Sequence, residues 1–373
     1  MKRRDFIKNT ILLSTSLSLK SLPEISIAAP VVLQKKKITI GIFSPSHCAA
    51  PLIFAEKKGY FKDEGLNVRL INYPTMLDLA KDLIAGKLDM GQLTVPLIFA
   101  LHLGANPANL QKNLVMPMIL GVHGSNLMIS KDSTITRPSD FKGKIIATHT
   151  KLAVHYLLVR LYLQQNGVDT ENDVTMSIVN LNDLTAILKR GELDAFMMPE
   201  PVNALAENTN EATTYILNQF IWRYHPCCGL TARKEYFDLQ DREKTFALVS
   251  AVSRASLYIN KERNRQELVS VLMKTSYGFE LLPRKVVNLA LAFSRSSFYP
   301  FPYQSTALLL LQLMREYKLL SDPDISKTAN EVFLSDFMRE SLSAIGNKAP
   351  RKNYRPEIVM GRPFELETTT NQY

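Results

Sequence analysis

Hydrogen-bonding side chains follow the ends of five predicted strands in this 373-residue chain. In an open α/β sheet, ligands bind beyond the carboxyl ends of the strands, where loops lead into helices. The first N–H groups of such helices are unpaired and carry partial positive charge, so several helix starts around one cleft form a site for a small oxyanion. The loops that meet this condition are residues 44–48, 91–94, 149–155, 180–183 and 199–201.

Side chains of these loops are the predicted ligand contacts. The candidates that carry a hydroxyl, thiol, imidazole, amide or carboxylate group are Ser46, His47, Cys48, Gln92, His149, Thr150, His155, Asn182 and Glu200. His155 lies in the first turn of a helix predicted over 153–166, where a neutral imidazole donates one hydrogen bond to an anion and a protonated one adds charge. The alternatives are a packing position for His155 and a solvent-facing loop position for Gln92. Glu200 is interpreted mainly as a cap before Pro201, with ligand contact as the second interpretation.

The three cysteines are candidate soft ligands for a metal ion. Cys227 and Cys228 are adjacent and follow His225, and Cys48 follows His47. If both segments face the cleft, thiols and imidazoles gather there, and such ligands suit Zn or Cu. The spacing matches no metal motif, however, so small buried thiols that pack a strand are the favoured interpretation. A cleft-lining thiol, a Cys48–Cys228 disulfide and a metal are the alternatives, and we predict neither a metal centre nor a cofactor.

The elements that position these loops alternate between strands and helices at intervals of 10–20 residues, which is typical of doubly wound α/β sheets. Strands are predicted at 38–43, 66–70, 87–90, 114–120, 125–130, 145–148, 174–179 and 194–198. Helices between them are predicted at 51–58, 77–84, 95–103, 153–166, 182–189 and 201–207, with a turn at Gly91 and Gln92. The chain from 242 onward is predicted to be helical at 242–259, 263–275, 284–293, 303–318 and 327–342.

This order of elements predicts two lobes. Residues 37–125 and 231–345 are assigned to lobe 1, residues 131–222 to lobe 2, and residues 346–373 to an irregular C-terminal tail. The extended segments 126–130 and 226–231 are expected to cross between the lobes. A chain of 373 residues is long enough for two hydrophobic cores.

The charge distribution argues against a nucleic-acid partner. The formal net charge is +10, and residues 1–28 contribute five basic and two acidic groups, so the remainder carries +7. The remaining basic residues are scattered, and no basic stripe is interleaved with aromatic residues. A mildly basic surface that attracts anions is the prediction.

Residues 1–28 have the pattern of an export signal, with a basic start, a weakly apolar middle and a small-residue end. Arg3 and Arg4, followed by DFIK, match the twin-arginine pattern. The apolar run is interrupted by Lys20 and is shorter than a membrane span. Cleavage is predicted after Ala28, so the mature protein is expected in the periplasm. A disordered basic leader is the alternative.

Six phrases in order carry a resemblance to a known family. They are GYFKDEGL, LDMGQL with VPLIFAL, FKGKIIAT, VHYLLVRLYLQQNGVD, GELDAF with MMPEPVNA, and IWRYHPCC. Over roughly residues 37–345 the chain resembles the nitrate/bicarbonate/sulfonate branch of the solute-binding proteins of ABC importers. The resemblance implies a type II periplasmic binding protein fold, with two α/β lobes joined by two crossovers and a helical C-terminal part.

The same resemblance implies a function. The protein is expected to be a monomer that captures a small oxyanion, such as nitrate, nitrite, bicarbonate or a sulfonate, by hinge closure, and to deliver it to a membrane permease. His155 is implied as a ligand contact, because nitrate binders have a histidine at a similar helix start. The resemblance also implies ligand contacts at Leu93, Ser125 and Cys228, which complete a set of twelve predicted ligand residues. At these three positions the sequence departs from the nitrate pattern, because nitrate binders carry a tryptophan, a glutamine and, nearby, a lysine. The missing lysine removes a positive charge that would neutralise nitrate. The resemblance therefore implies the fold for this chain, but it does not imply nitrate as the ligand.

A thiamine-pyrimidine-precursor binding protein or a synthase-like enzyme is the alternative function. The superfamily includes a thiamine-pyrimidine synthase that uses a histidine and a cysteine-rich segment, and His47 with Cys227 and Cys228 keeps this alternative open. The export signal and the lack of paired carboxylates, a nucleophile–base pattern or a phosphate loop argue against an enzyme. A cytosolic nitrate sensor of similar fold is disfavoured by the same signal.

Overall fold

A computed structural model describes residues 37–239 and 242–367, and the predicted export signal lies outside them. The strands are β1 Lys37–Ile42, β2 Asn67–Asn72, β3 Met90–Thr94, β4 Leu114–His123, β5 Ser125–Ser130, β6 Ile145–Thr148, β7 Thr175–Ile178, β8 Ala195–Pro199, β9 Ala212–Leu217, β10 Pro226–Arg233, β11 Ser296–Ser297, β12 Ile358–Val359 and β13 Arg362–Pro363. The helices are α1 Ala50–Lys57, α2 Tyr60–Asp63, α3 Met76–Ile84, α4 Val95–His102, α5 Val154–Gln165, α6 Leu184–Lys189, α7 Val202–Asn208, α8 Lys234–Leu239, α9 Arg242–Ile259, α10 Arg265–Leu272, α11 Arg284–Ala290, α12 Gln304–Glu316, α13 Ile325–Val332 and α14 Ser335–Ala344.

Two mixed sheets organise these elements. The first has the order β11-β4-β10-β3-β1-β2, and the second has the order β7-β6-β8-β5-β9. Within them, β1 is parallel to β2 and β3, and β6 is parallel to β7 and β8, whereas β5 and β10 run antiparallel to their neighbours. The chain passes from the first sheet to the second at Gly124 and returns over residues 218–225. The predicted crossing segments 126–130 and 226–231 are wrong, because these residues lie inside β5 of the second sheet and β10 of the first. The predicted class of two doubly wound sheets joined by two crossovers is therefore confirmed, while the lobe boundaries stay a prediction.

Local signals set the ends of the first helices as the sequence predicted. Pro51 lies in the first turn of α1, where its missing N–H costs no hydrogen bond. The chain leaves α1 through Gly59, whose φ of +81° is the left-handed conformation that glycine adopts without strain. The Thr75 side chain accepts a hydrogen bond from the Asp78 N–H (3.0 Å) and caps α3. The starts of α1 and α3 fix where the loops after β1 and β2 end.

The prediction around β3 is wrong. A strand was expected at 87–90 and a turn at Gly91 and Gln92, but both residues lie inside β3. A Cβ atom at Gly91 would lie 2.6 Å from Leu79 Cδ2, so glycine allows α3 to pack closely on the strand instead of breaking it. Gln92 is consequently a buried strand residue.

Other boundaries also differ from the expectation. The helix predicted over 327–342 is two helices, α13 and α14, because Phe333 is extended and forms a bridge with Met116 of β4. The Phe333 ring stacks on Phe99 of α4 at a centroid distance of 5.6 Å, which explains why the chain turns inward there. Strands β9 and β11 and helix α8 had no sequence prediction.

The C-terminal segment predicted to be irregular packs into the core through Glu357, whose side chain is buried. Trp222 Nε1 donates to Glu357 Oε2 (2.9 Å), and the hydroxyls of Ser305 and Thr306 each donate to Oε1 (2.7 Å). Val359 also pairs with Trp222 in an antiparallel bridge. The segment therefore supports residues 218–225, where the chain returns to the first sheet.

We predict that Glu357→Ala lowers the free energy of unfolding by about 3–5 kcal/mol, because it leaves a buried indole N–H and two hydroxyls without their acceptor. Urea unfolding followed by Trp222 fluorescence measures the change. Glu365→Ala, at an exposed position of the same segment, is the control and should change the free energy by less than about 0.5 kcal/mol. Equal effects of the two substitutions would contradict the anchoring role of Glu357.

Candidate ligand-binding site

A cavity of about 1450 Å³ lies between the two sheets. Each of the five loops predicted from strand ends contributes to its wall, together with residues 72–77 after β2 and the start of β10. Four helices of at least eight residues begin beside it, namely α1, α3, α4 and α5. Their free N–H ends supply partial positive charge toward the cavity.

Nine of the twelve predicted ligand residues line this cavity. They are Ser46, His47, Cys48, Gln92, His149, Thr150, His155, Asn182 and Cys228. The structure thus brings together residues from both sheets, and their contact with a ligand stays a prediction.

The other three predicted residues lie away from the cavity wall. Leu93 faces the opposite side of β3 from Gln92, because side chains alternate along a strand, and packs in the core. The Ser125 hydroxyl is buried and accepts a hydrogen bond from the Asn218 amide. Glu200 is buried, accepts from Arg295 Nη1 (2.9 Å) and from the Ala204 N–H (3.0 Å), and so helps to begin α7 as its structural interpretation predicted.

The Gln92 amide holds the first loop in place. Its Oε1 accepts from the Phe43 N–H (3.2 Å), and its Nε2 donates to Ser46 Oγ (3.1 Å). Ser46 in turn caps the short turn at His47–Ala49 by accepting from the Ala49 N–H (3.3 Å). Gln92 was predicted as a ligand donor, and the contacts that the structure gives it position the loop that carries His47 and Cys48.

Two glycines make room for that loop. A Cβ atom at Gly124 would lie 2.1 Å from His47 Nε2, and one at Gly121 would lie 2.4 Å from Cys48 Sγ. Both distances are far below a van der Waals contact, so His47 and Cys48 fit because neither Gly121 in β4 nor Gly124 just after it carries a side chain.

The thiol pair reaches the cavity through an irregularity in β10. The register with β4 shifts between Pro226 and Cys228, and again between Cys228 and Gly229. Such a bulge changes the direction of neighbouring side chains, which otherwise point to opposite faces of a strand. As a result both Cys227 and Cys228 line the cavity.

His155 is a buried polar side chain of the cavity wall with unsatisfied hydrogen-bonding groups. It is 1% exposed, and neither ring nitrogen has a hydrogen-bond partner among the described residues. The His149 ring lies beside it at a centroid distance of 5.0 Å. Buried polar groups are normally hydrogen-bonded, so the imidazole of His155 has two unused hydrogen-bonding positions in the cavity wall, and its contact with a ligand stays a prediction.

Burial also keeps the cavity histidines neutral near pH 7. It lowers the pKa of His47 to about 4 and that of His149, whose Nδ1 is buried, to about 4. The pKa of His155 is held well below its usual value by burial and by the neighbouring His149. Among the described residues that line the cavity, Lys151 is the one lysine or arginine, and it is exposed.

Thr94 and Cys227 are two polar residues of the wall that were not among the predicted ligand contacts. Thr94 Oγ1 donates to the Leu152 carbonyl (2.8 Å), which links β3 of the first sheet to the loop after β6 of the second. A correct strand assignment would have found Thr94, since it shares a face with Gln92 two residues earlier. Cys227 depends on the bulge, for which the sequence gives no signal.

Comparisons with known proteins give a family and several relatives of this chain. A family model described as the NMT1-like family matches residues 33–273. The nitrate/nitrite binding protein NrtA of Synechococcus elongatus is 26% identical over 352 residues, which cover 84% of this chain and 79% of that protein. The nitrate import ATP-binding protein NrtC of a Synechocystis species is 26% identical over 258 residues, which cover 66% of this chain but only 38% of that protein.

The fold has a counterpart among solved structures. The crystal structure of the periplasmic nitrate-binding protein NrtA from Synechocystis PCC 6803 matches with a TM-score of 0.79 at 18% identity, over 88% of this chain and 94% of that chain. The family resemblance and the periplasmic binding protein fold predicted from six sequence phrases are therefore confirmed. Within the described part of the chain, no helix combines the length and apolar character that a membrane span requires.

We predict that the ligand-free protein loses stability as the pH falls from about 6.5 to about 4. In this window the unfolded chain protonates its histidines, whereas burial holds the folded pKa of His47 and of His225 at about 4. Unfolding then takes up protons, and its free energy falls by up to about 1.4 kcal/mol per pH unit for each such histidine. Urea unfolding at several pH values between 7.5 and 4.5 (roughly the window set by these pKa values) measures the slope.

The variant His47→Asn separates the histidine contribution from that of the carboxylates. It should show a shallower loss of stability by about one proton, because one buried imidazole no longer titrates. Identical slopes for the variant and the parent protein would contradict the assignment of the effect to His47.

Proposed function

The chain belongs to the NMT1-like family, and from that premise we propose that it is the solute-binding component of an ABC importer. It captures a small oxyanion in the cavity between its two sheets and delivers it to a membrane permease. The NrtA and NrtC relatives support this proposal, because one is a nitrate/nitrite binding protein and the other a nitrate import ATP-binding protein.

The unpaired imidazole of His155 is the observation that carries the proposal. His155 lies in the first turn of α5, so an anion accepting from its ring also meets the free N–H end of that helix. Helices α1 and α4 begin at the same cavity. Neutral donors and helix ends around one cavity suit a small anion, since they stabilise negative charge without a fixed countercharge.

Contacts between the two sheets support capture by closure. The His47 N–H donates to the Glu200 carbonyl (3.2 Å), and the Thr94 hydroxyl donates to the Leu152 carbonyl (2.8 Å). Arg295, next to β11 of the first sheet, forms ion pairs with Glu200 and with Glu207 of α7. Rotation about the two crossovers would break these contacts together, which is the behaviour of a hinge.

The size and lining of the cavity bear on the class of anion. A volume of about 1450 Å³ is much larger than an inorganic anion needs, and part of the wall is apolar. The apolar side chains include Met76, Leu77, Leu97, Ile178 and Leu205. This lining favours an oxyanion with a short organic group, such as an alkylsulfonate. Nitrate, nitrite and bicarbonate stay within the proposed class of ligands.

The proposal includes a cellular setting. Export by the twin-arginine pathway would place a monomeric mature protein in the periplasm, where a permease and its ATPase are the partners and nucleic acid is not. Among the described residues that line the cavity there is no pair of carboxylates that could act as general acid and base. This favours a binding protein over an enzyme.

We predict that at least one oxyanion of a panel raises the melting temperature of the purified protein. The panel contains nitrate, nitrite, bicarbonate, alkylsulfonates and, for the alternative function, aminopyrimidines. Ligand at 100 times its Kd stabilises the folded state by about 2.7 kcal/mol, which differential scanning fluorimetry resolves. His155→Ala should abolish the shift, because it removes the unpaired donor from the cavity wall.

His102→Ala is the matched control, since His102 is also buried but contacts the Leu114 carbonyl and Glu331 away from the cavity. It lowers the melting temperature of the free protein and leaves the ligand-induced shift intact. A shift with aminopyrimidines alone would favour the thiamine-precursor alternative. No shift with any oxyanion, or a full shift in His155→Ala, would contradict the proposed site.

A further inference from the structure

Three soft donor side chains meet in the cavity wall. His47, Cys48 and Cys227 each offer one ligand atom, and these atoms all lie within 4.8 Å of one another. The three residues are 1% exposed, and both cysteines are free thiols. We propose that this cluster binds one thiophilic d¹⁰ metal ion, Zn(II) or Cu(I), through two thiolates and one imidazole.

The distances within the cluster suit a single small ion. His47 Nε2 lies 3.2 Å from Cys48 Sγ. A tetrahedral ion with Zn–S of about 2.3 Å and Zn–N of about 2.0–2.1 Å places its sulfur and nitrogen ligands about 3.6 Å apart. The observed separation needs an adjustment of a few tenths of an ångström, which the rotation of two side chains supplies.

The fold holds the three donors together from segments far apart in sequence. The bulge in β10 turns Cys227 toward the cavity, and Gly121 and Gly124 of the opposing segment leave the space that His47 and Cys48 occupy. A Cβ atom at either glycine would overlap a donor side chain. Cys227 is therefore held by the bulge in the first sheet, and His47 and Cys48 are held by a turn that packs against Gly121 and Gly124.

The donor chemistry selects the class of ion. Thiolate and imidazole ligands favour Zn(II) and Cu(I), whereas Ca²⁺ and Mg²⁺ require oxygen ligands. Binding of Zn(II) replaces the protons of the two thiols, and these protons pass to the buffer. The inference is independent of which solute the protein carries, because none of the three donors is needed by the proposed contact at His155.

Cys228 supplies an internal comparison. Its sulfur lies 3.9 Å from Cys227 Sγ and accepts a weak hydrogen bond from Gln92 Nε2 (3.9 Å), and it lies outside the three-donor set. Three protein ligands leave a fourth position of a tetrahedral ion toward the cavity, as in zinc sites that hold an exchangeable ligand. Substitution of Cys228 should thus perturb the surroundings of the ion and not its ligands.

The test is a metal titration of the reduced, metal-free protein under anaerobic conditions. Co(II) reports Zn(II)-type coordination through thiolate charge-transfer and visible ligand-field bands, and Zn(II) should displace it. A second arm measures Cu(I) in competition with a colorimetric chelator. We expect one equivalent per chain in at least one arm, with thiolate bands that identify cysteine ligands.

Variants locate the site. Cys48→Ser and Cys227→Ser should each weaken metal binding by more than about 100-fold, beyond the 10–100-fold typical of outer-shell changes, whereas Cys228→Ser should weaken it by less than about tenfold. Circular dichroism verifies that each variant is folded. Less than one equivalent of both ions in the folded parent protein would overturn the proposal, as would equal losses in Cys227→Ser and Cys228→Ser. Because the titration needs no solute, its failure leaves the solute-binding proposal standing.

Discussion

The close approach of the His47–Cys48 turn to the end of β4 is the constraint on which the cavity depends. Gly121 and Gly124 permit it, because any side chain at these positions would occupy the space of the imidazole or the thiol. Gly124 is also the point at which the chain passes from the first sheet to the second. One short segment therefore sets both the wall of the cavity and the geometry of a crossover, and the Gln92 amide holds the turn against it.

Much of the fold could be predicted because its signals are local. Pro51 and Gly59 mark helix ends by backbone chemistry alone, and the rule that ligands bind at strand ends identified five segments of the cavity wall, although not residues 72–77 after β2. The failures have tertiary causes. Gly91 was predicted as a turn, because close packing of α3 on the strand at this glycine cannot be read from the local sequence. Glu357 was assigned to an irregular tail, because its hydrogen-bond partners are more than 50 residues away in the chain. The bulge that turns Cys227 toward the cavity likewise has no local signature.

The electrostatics of the cavity explain how it can receive an anion with no buried lysine or arginine in its described wall. Burial keeps His47 and His155 neutral in the ligand-free protein, so the cavity carries no like-charged groups that repel one another. A bound anion reverses the balance, since negative charge at contact distance raises the pKa of a neighbouring imidazole. In the proposed complex, anion and proton are therefore taken up together, and no fixed countercharge is needed.

The dependence of anion affinity on pH tests this account most directly. Titration calorimetry with an anion of constant charge, nitrate or an alkylsulfonate, gives the affinity between pH 7.5 and 5.5 (roughly one unit on either side of the ordinary histidine pKa). The account predicts tighter binding as the pH falls, approaching tenfold per pH unit where one proton is fully taken up, and no such gain in His155→Ala. An affinity that is flat or that weakens with falling pH would contradict it.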